Sequence, residues 1–194
     1  MLFPSLARLA GTVLIATGLA ACVDITMEIQ VLDEQNARGT TTISMDREFY
    51  DMSQQQGGGD FCDDDGTFTL TDEAATCVTT EEGAYTDLLE GGEEGEPTPT
   101  ITNVGPGMVR VTYPTASLAE DFGEDSSDPE TMAMMEQFFE GRTLTMTVSG
   151  GQIVESNMDI AEDGMSAAIV IPLLGMMTGE VELPDESYAV VKLN

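Results

Sequence analysis

Residues 23–31 read Val-Asp-Ile-Thr-Met-Glu-Ile-Gln-Val, and their strict alternation decides the fold class. Val23, Ile25, Met27, Ile29 and Val31 take one side, while Asp24, Thr26, Glu28 and Gln30 take the other. A period of two is that of a strand with one face buried and one face wet. The polar stretch Asp33 to Gly39 reads as a turn, and Thr41, Ile43 and Met45 resume the alternation. The spacing predicts an antiparallel hairpin.

The same reading extends along the chain. Glu48 to Gln56 is helical or irregular and ends at Gly57-Gly58-Gly59. Thr67 to Thr71 reads as a short strand. Thr80 to Leu89 reads as a short helix with acids in its first turn, where the macrodipole favours them. Ile101 to Val104 and Met108 to Tyr113 form a second hairpin around Gly105-Pro106-Gly107, and Pro114 stops it. Asp128-Pro129-Glu130 has the order of a helix start, an N-cap, then proline, then an early acid, with Gly141 as the stop.

Leu144, Met146 and Val148 alternate with threonines, Gly150-Gly151 reads as a hairpin turn, and Ile153 begins the return strand. Ala167 to Leu173 is a nearly continuous apolar strand, followed by an apolar loop Leu173 to Met177, and Tyr188 to Leu193 is the last strand. The expectation is an α+β domain, an antiparallel sheet of about seven strands with two or three short helices. Acidic segments without core-forming residues fall near 54–66 and 90–100.

Upstream of the first strand, residues 1–22 read MLFPSLARLAGTVLIATGLAAC. Arg8 precedes an apolar run that closes on small residues, the three parts of a secretory signal. The run is shorter than the roughly 20 residues that a transmembrane helix needs. Its end, Leu19-Ala20-Ala21-Cys22, resembles the lipobox of bacterial lipoproteins. That resemblance implies thioether attachment of diacylglycerol to Cys22, removal of residues 1–21, and a single mature domain over 22–194. Two or more acyl chains hold a protein at a bilayer stably. The bland alternative is an ordinary signal peptide with Cys22 a plain thiol. In enterobacterial lipoproteins an Asp directly after the cysteine retains the protein in the inner membrane. Here Asp24 stands one place later, which favours the outer membrane.

Acylation of Cys22 leaves Cys62 and Cys77. An even remainder in an exported chain suggests a disulfide, the alternative being two reduced thiols.

Composition removes whole classes of function. The chain has 36 Asp plus Glu against 6 Lys plus Arg, a formal net charge of −30, and no histidine. Without histidine there is no Ser–His–Asp triad and no imidazole metal ligand. Polyanion binding depends on Lys and Arg displacing counterions, so nucleic acid is excluded as a partner. No G-x-S-x-G elbow, Walker A loop or dinucleotide glycine fingerprint occurs. A non-enzymatic protein without a cofactor is expected. Such an acid excess resembles that of salt-adapted proteins, in which charge maintains solubility.

Three stretches are candidate sites. Asp60, Asp63, Asp64 and Asp65 offer oxygen ligands suited to Ca²⁺, though the EF-hand spacing fails because Phe61 stands where an Asp is required. A solvated, self-repelling loop is the competing reading. Met132, Met134, Met135, Phe138 and Phe139 sweep roughly 160° of one helical side. That stripe is either core packing or a cover for a lipid chain or partner groove. Leu173 and Leu174 open the apolar loop, which if exposed is a contact surface for membrane or ligand.

Beyond the lipobox, the order of elements resembles the LppM-type lipoprotein domain of actinobacteria. The residues that carry this are the strand-turn-strand after Cys22, Val109 to Tyr113 followed by Ser117-Leu118, and Val148 to Asn157. After these come Glu162-Asp163-Gly164, an apolar strand, and Tyr188-Ala189-Val190-Val191; the tryptophan often carried late in such domains is absent. The resemblance implies an α+β envelope domain that contacts lipids or glycolipids without catalytic residues. The expected function is thus a periplasm-facing, lipid-anchored lipoprotein that binds a lipid or glycolipid of the envelope. The alternative is an assembly lipoprotein that docks an envelope protein through acidic loops or a sheet edge.

Overall fold

Alternation in residues 23–31 produces the strand it implies, and the rest of the sheet is built outward from it. A computed structural model describes residues 23–55, 57, 61–62, 65–89, 98–117 and 139–193. Strand β1 (Val23–Val31) pairs antiparallel with β2 (Asn36–Asp46), from Val23 opposite Met45 to Val31 opposite Ala37. The turn is tighter than the polar run suggests. Asp33 Oδ1 accepts hydrogen bonds from the backbone N–H of Gln35 (2.7 Å) and Asn36 (2.8 Å), so the chain reverses within four residues. These bonds, with that from the Asn36 side chain foremost, hold the Asp33 carboxyl below the usual carboxylate range.

Helix α1 (Arg47–Gln55) follows, then β3 (Thr67–Leu70), β4 (Ala74–Ala84) and helix α2 (Tyr85–Leu89). The helix expected over Thr80 to Leu89 is therefore strand in its first half, to Ala84, and helix only from Tyr85 to Leu89. β4 pairs with β2 along its full length, as far as Ala84 opposite Asn36. Glu82, which reads locally as a helix-start acid, instead accepts from Arg38 Nη2 at 2.7 Å across the two strands. Long-range pairing has overridden local preference.

Next come β5 (Thr100–Gly105), β6 (Met108–Tyr113), β7 (Thr143–Ser149), β8 (Gln152–Ser156), β9 (Asp159–Ile160), β10 (Ser166–Pro172), helix α3 (Leu173–Met177) and β11 (Ser187–Lys192). The class is α+β, with eleven strands among the described residues divided between two sheets. One has seven strands in the order β3-β4-β2-β1-β7-β10-β9, the other four in the order β5-β6-β11-β8. Two features depart from a single antiparallel sheet. β1 and β7 pair in parallel, Ile25 beside Leu144 through Gln30 beside Ser149, which makes the larger sheet mixed. And β7 and β8 are no hairpin: β8 joins the second sheet, antiparallel to β11.

Gly150-Gly151 carries the chain from one sheet to the other. Gly150 has φ 113°, and a Cβ on it would lie 2.0 Å from the carbonyl oxygen of Val31. A Cβ on Gly151 would lie 2.4 Å from the carbonyl oxygen of Lys192. Neither glycine has room for a side chain at this close crossing of backbones.

The two sheets share one core. Val31, Ala37, Leu144, Met146, Val148, Ala167 and Ile171 of the larger sheet meet Ile101, Val109, Val111, Tyr113, Ile153, Ala189 and Val191 of the smaller. Tyr113 spans the layers and donates its hydroxyl to the carbonyl oxygen of Thr147 at 3.0 Å. Burial pushes its pKa up, so it remains a donor. Pro172 ends β10 and α3 follows as a buried helix in place of the expected loop, with Leu173, Gly175, Met176 and Met177 inside.

Candidate functional site

The larger sheet is wider than the sheet that covers it. The four-stranded layer lies over β1, β7 and β10, and its edge strand β5 leaves part of the β1-β2-β4 face uncovered. Along that face the inward positions are small. Gly39 stands opposite Ile29, Thr41 opposite Met27, and Thr79 opposite Thr41. No atom lies within 4 Å of where a Cβ on Gly39 would stand.

The result is a cleft of about 290 Å³ between the layers. Met27 and Ile29 form part of its floor, Leu88 and Pro99 lie at its side, and Ile101 and Tyr113 belong to the opposing sheet. Glu28, Glu81 and the threonine hydroxyls supply the polar character, and the lining holds no Lys or Arg. Next to the cleft, Tyr85 donates its hydroxyl to the carbonyl oxygen of Asp33, tying the start of α2 to the first hairpin. Burial first, then Asp33 and Glu34, pushes the Tyr85 pKa up to about 12. The volume is at the lower end of ligand pockets, and the mostly apolar lining fits an alkyl chain rather than a charged group.

The residues expected from the sequence are distributed as follows. Cys62 and Cys77 form a disulfide with Cα atoms 5.4 Å apart. Beside it Tyr50, Phe61 and Phe68 pack as a ring triad, with centroid separations of 5.5 to 6.1 Å. Leu173 is 5% exposed and packs into the core, so the expectation that it forms a surface contact is corrected: β10 turns directly into α3 and carries it inward. Leu174 is half-buried, and Phe139 packs against the core. Asp65 is exposed. Cys22, Asp60, Asp63, Asp64, Met132, Met135 and Phe138 lie outside the described residues, as does the 90–97 part of the second acidic segment.

Among the described residues no group of three or more acids, cysteines or histidines is placed to hold a metal ion. Nor is any described helix long and apolar enough to cross a membrane. No motif in the sequence marks the cleft. Its only local trace is Gly39 and Thr41, at alternate positions where a core strand normally carries larger apolar side chains.

Two unequal sheets around one core, with a cleft at their margin, define a two-layer α+β domain. No family model matches the chain, and no curated protein matches its sequence. Among solved structures, the folded domain of the Mycobacterium tuberculosis LppM protein, determined by NMR, is similar, with a TM-score of 0.50. The match covers 90% of this chain and 91% of that one at 8% sequence identity. The fold is LppM-like, as the order of elements suggests.

Proposed function

We propose that this protein is a lipoprotein of the bacterial cell envelope, anchored through acyl chains on Cys22 and facing the periplasm. In this reading it holds the apolar part of an envelope lipid or glycolipid in the cleft between its sheets, without catalysis. The observation that carries the binding role is the open, mostly apolar cleft beneath Gly39 and Thr41. The lipobox-like Leu19-Ala20-Ala21-Cys22 and the LppM-like fold support the envelope setting. Asp24, second after the cysteine, favours the outer membrane. An enclosed alkyl stretch of about six carbons contributes roughly 5 kcal/mol gross at about 0.8 kcal/mol per CH₂.

Thr41→Trp tests the cleft. The indole fills the hollow opposite Met27, and binding of a fluorescent polyene fatty acid is expected to weaken at least about tenfold, or about 1.4 kcal/mol. Thermal unfolding reports whether the variant still folds. A folded Thr41→Trp variant that binds the probe as tightly as the parent removes the cleft from the account.

The rival role, docking an envelope protein, draws on β3. This edge strand is exposed along its length, with Phe68 42% and Leu70 40% accessible. A partner held there is indifferent to Thr41→Trp.

A further inference from the structure

We infer that the end of the seven-stranded sheet at which β1 begins rests directly on the bilayer surface, with no spacer between anchor and fold. The inference depends on acylation of Cys22. Val23, the next residue, is already paired with Met45 in the sheet. Consecutive Cα atoms are about 3.8 Å apart, so the anchored residue is one step from a rigid element.

The start of β1 is fastened to its neighbours. Asp24 Oδ1 accepts from the backbone N–H of Thr143 at 2.8 Å and from its hydroxyl at 3.3 Å. Asp24 Oδ2 accepts from Arg142 Nη1 at 3.1 Å, and the other arm of Arg142 pairs with Asp46 at the end of β2. Peeling β1 away to make a tether breaks all of these together with pairing to both β2 and β7. The polar headgroup layer is roughly 6 Å deep on each side of a bilayer, so the sheet end borders it.

Register identifies the rest of that surface. Asp46 pairs with Ala74 at the start of β4, and Thr143 pairs with Pro172 at the end of β10. The Thr71 to Glu73 turn lies at the same level, held by Arg47, which donates from its backbone N–H to the carbonyl oxygen of Glu73 at 3.0 Å and from Nη1 to that of Thr71 at 3.1 Å.

The placement of cations points the same way, although this end also carries acids, Asp72 and Glu73 among them. Of 6 Lys and Arg in the chain, Arg47 and Arg142 both stand at this end. Arg142 pairs with both carboxylates closest to the anchor and offsets one of their two charges, which lowers repulsion from anionic headgroups at the place that must meet them. The turns at the opposite end, 32–35 and 161–165, carry Asp33, Glu34, Glu162 and Asp163 and no cation, whereas the acidic Thr71 to Glu73 turn has Arg47 bonded to it.

The geometry has a consequence for the ligand. Met27 and Ile29 lie four and six residues along β1, about 13 and 20 Å from the membrane end at about 3.3 Å per residue. A lipid chain therefore leaves the bilayer to occupy the cleft.

The test uses the full acylated chain in phosphatidylcholine vesicles that contain headgroup-nitroxide lipid. A fluorophore is placed at Asp72→Cys or at Glu162→Cys, both exposed positions. The label at 72 is expected to be quenched at least about threefold more strongly than that at 162, which stands roughly 20 Å or more higher. A ten-residue Gly/Ser insert between Cys22 and Val23, with a mean reach of roughly 18 Å, is expected to erase the difference. Equal quenching at the two positions in uninserted protein that sediments with the vesicles overturns the inference and leaves the anchor intact. Protein that fails to sediment overturns the anchor and the inference together.

Discussion

Gly150→Ala is expected to destabilise the mature protein by at least about 3 kcal/mol in urea unfolding, well beyond the cost of a methyl at an unhindered glycine. Part of the loss is conformational, since a left-handed backbone costs an L-residue about 1–2 kcal/mol. The larger part is steric. The added carbon would sit 2.0 Å from the carbonyl oxygen of Val31, an atom of the backbone that cannot turn aside as a side-chain end can. Relief requires β1 and β7 to separate where their parallel pairing ends, at Gln30 and Ser149. Gly164→Ala is the matched control. Gly164 also has positive φ, 70°, but no atom lies within 4 Å of its would-be Cβ. Its substitution is expected to cost about 1 kcal/mol. If the Gly150 variant loses no more than the control, the chain does not cross between sheets at this point.

The second large effect is on location. With residues 1–21 exchanged for a conventional secretory signal and Cys22→Ala introduced, the protein is expected to move wholly from the membrane to the soluble envelope fraction. No described helix is long and apolar enough to span, and a net charge of −30 is repelled by anionic leaflets. Two chains of about 16 carbons supply more than about 20 kcal/mol of gross transfer energy at about 0.8 kcal/mol per CH₂, so the expected loss is nearly complete. Fractionation with antibody detection reads the result. A variant that stays membrane-bound through a salt wash would show that the folded domain itself holds the bilayer.

Much of the fold was legible because its strands have one wet face. β1, β7 and the β5-β6 hairpin alternate so cleanly that their inward residues, Ile29, Met146 and Val111 among them, are the ones the core contains or packs against. What local pattern does not encode is partnership. Nothing between residues 143 and 149 distinguishes a strand that will pair with β10 from one that will also run parallel to β1. Gly150-Gly151 reads equally well as a hairpin turn or as a crossing, because both need backbone that tolerates positive φ. β4 was masked by Glu81-Glu82-Gly83, whose acids look like a helix start until Arg38 arrives from β2. The disulfide followed from counting. The cleft did not, because a hollow comes from what is missing at Gly39, Thr41 and Thr79 when distant strands align. Leu173 misled for a related reason: its apolar neighbours suggested a sticky surface, and the packing of α3 against the sheets placed it inside.

The direct test of the central claim is native mass spectrometry of the protein taken from its own membranes under non-denaturing conditions. The expected species begins at Cys22, exceeds the mass of residues 22–194 by a diacylglyceryl group with or without a further acyl chain, and sheds a bound lipid on gentle activation. An unmodified polypeptide, or an acylated one that carries no lipid beyond its covalent chains, would contradict the account.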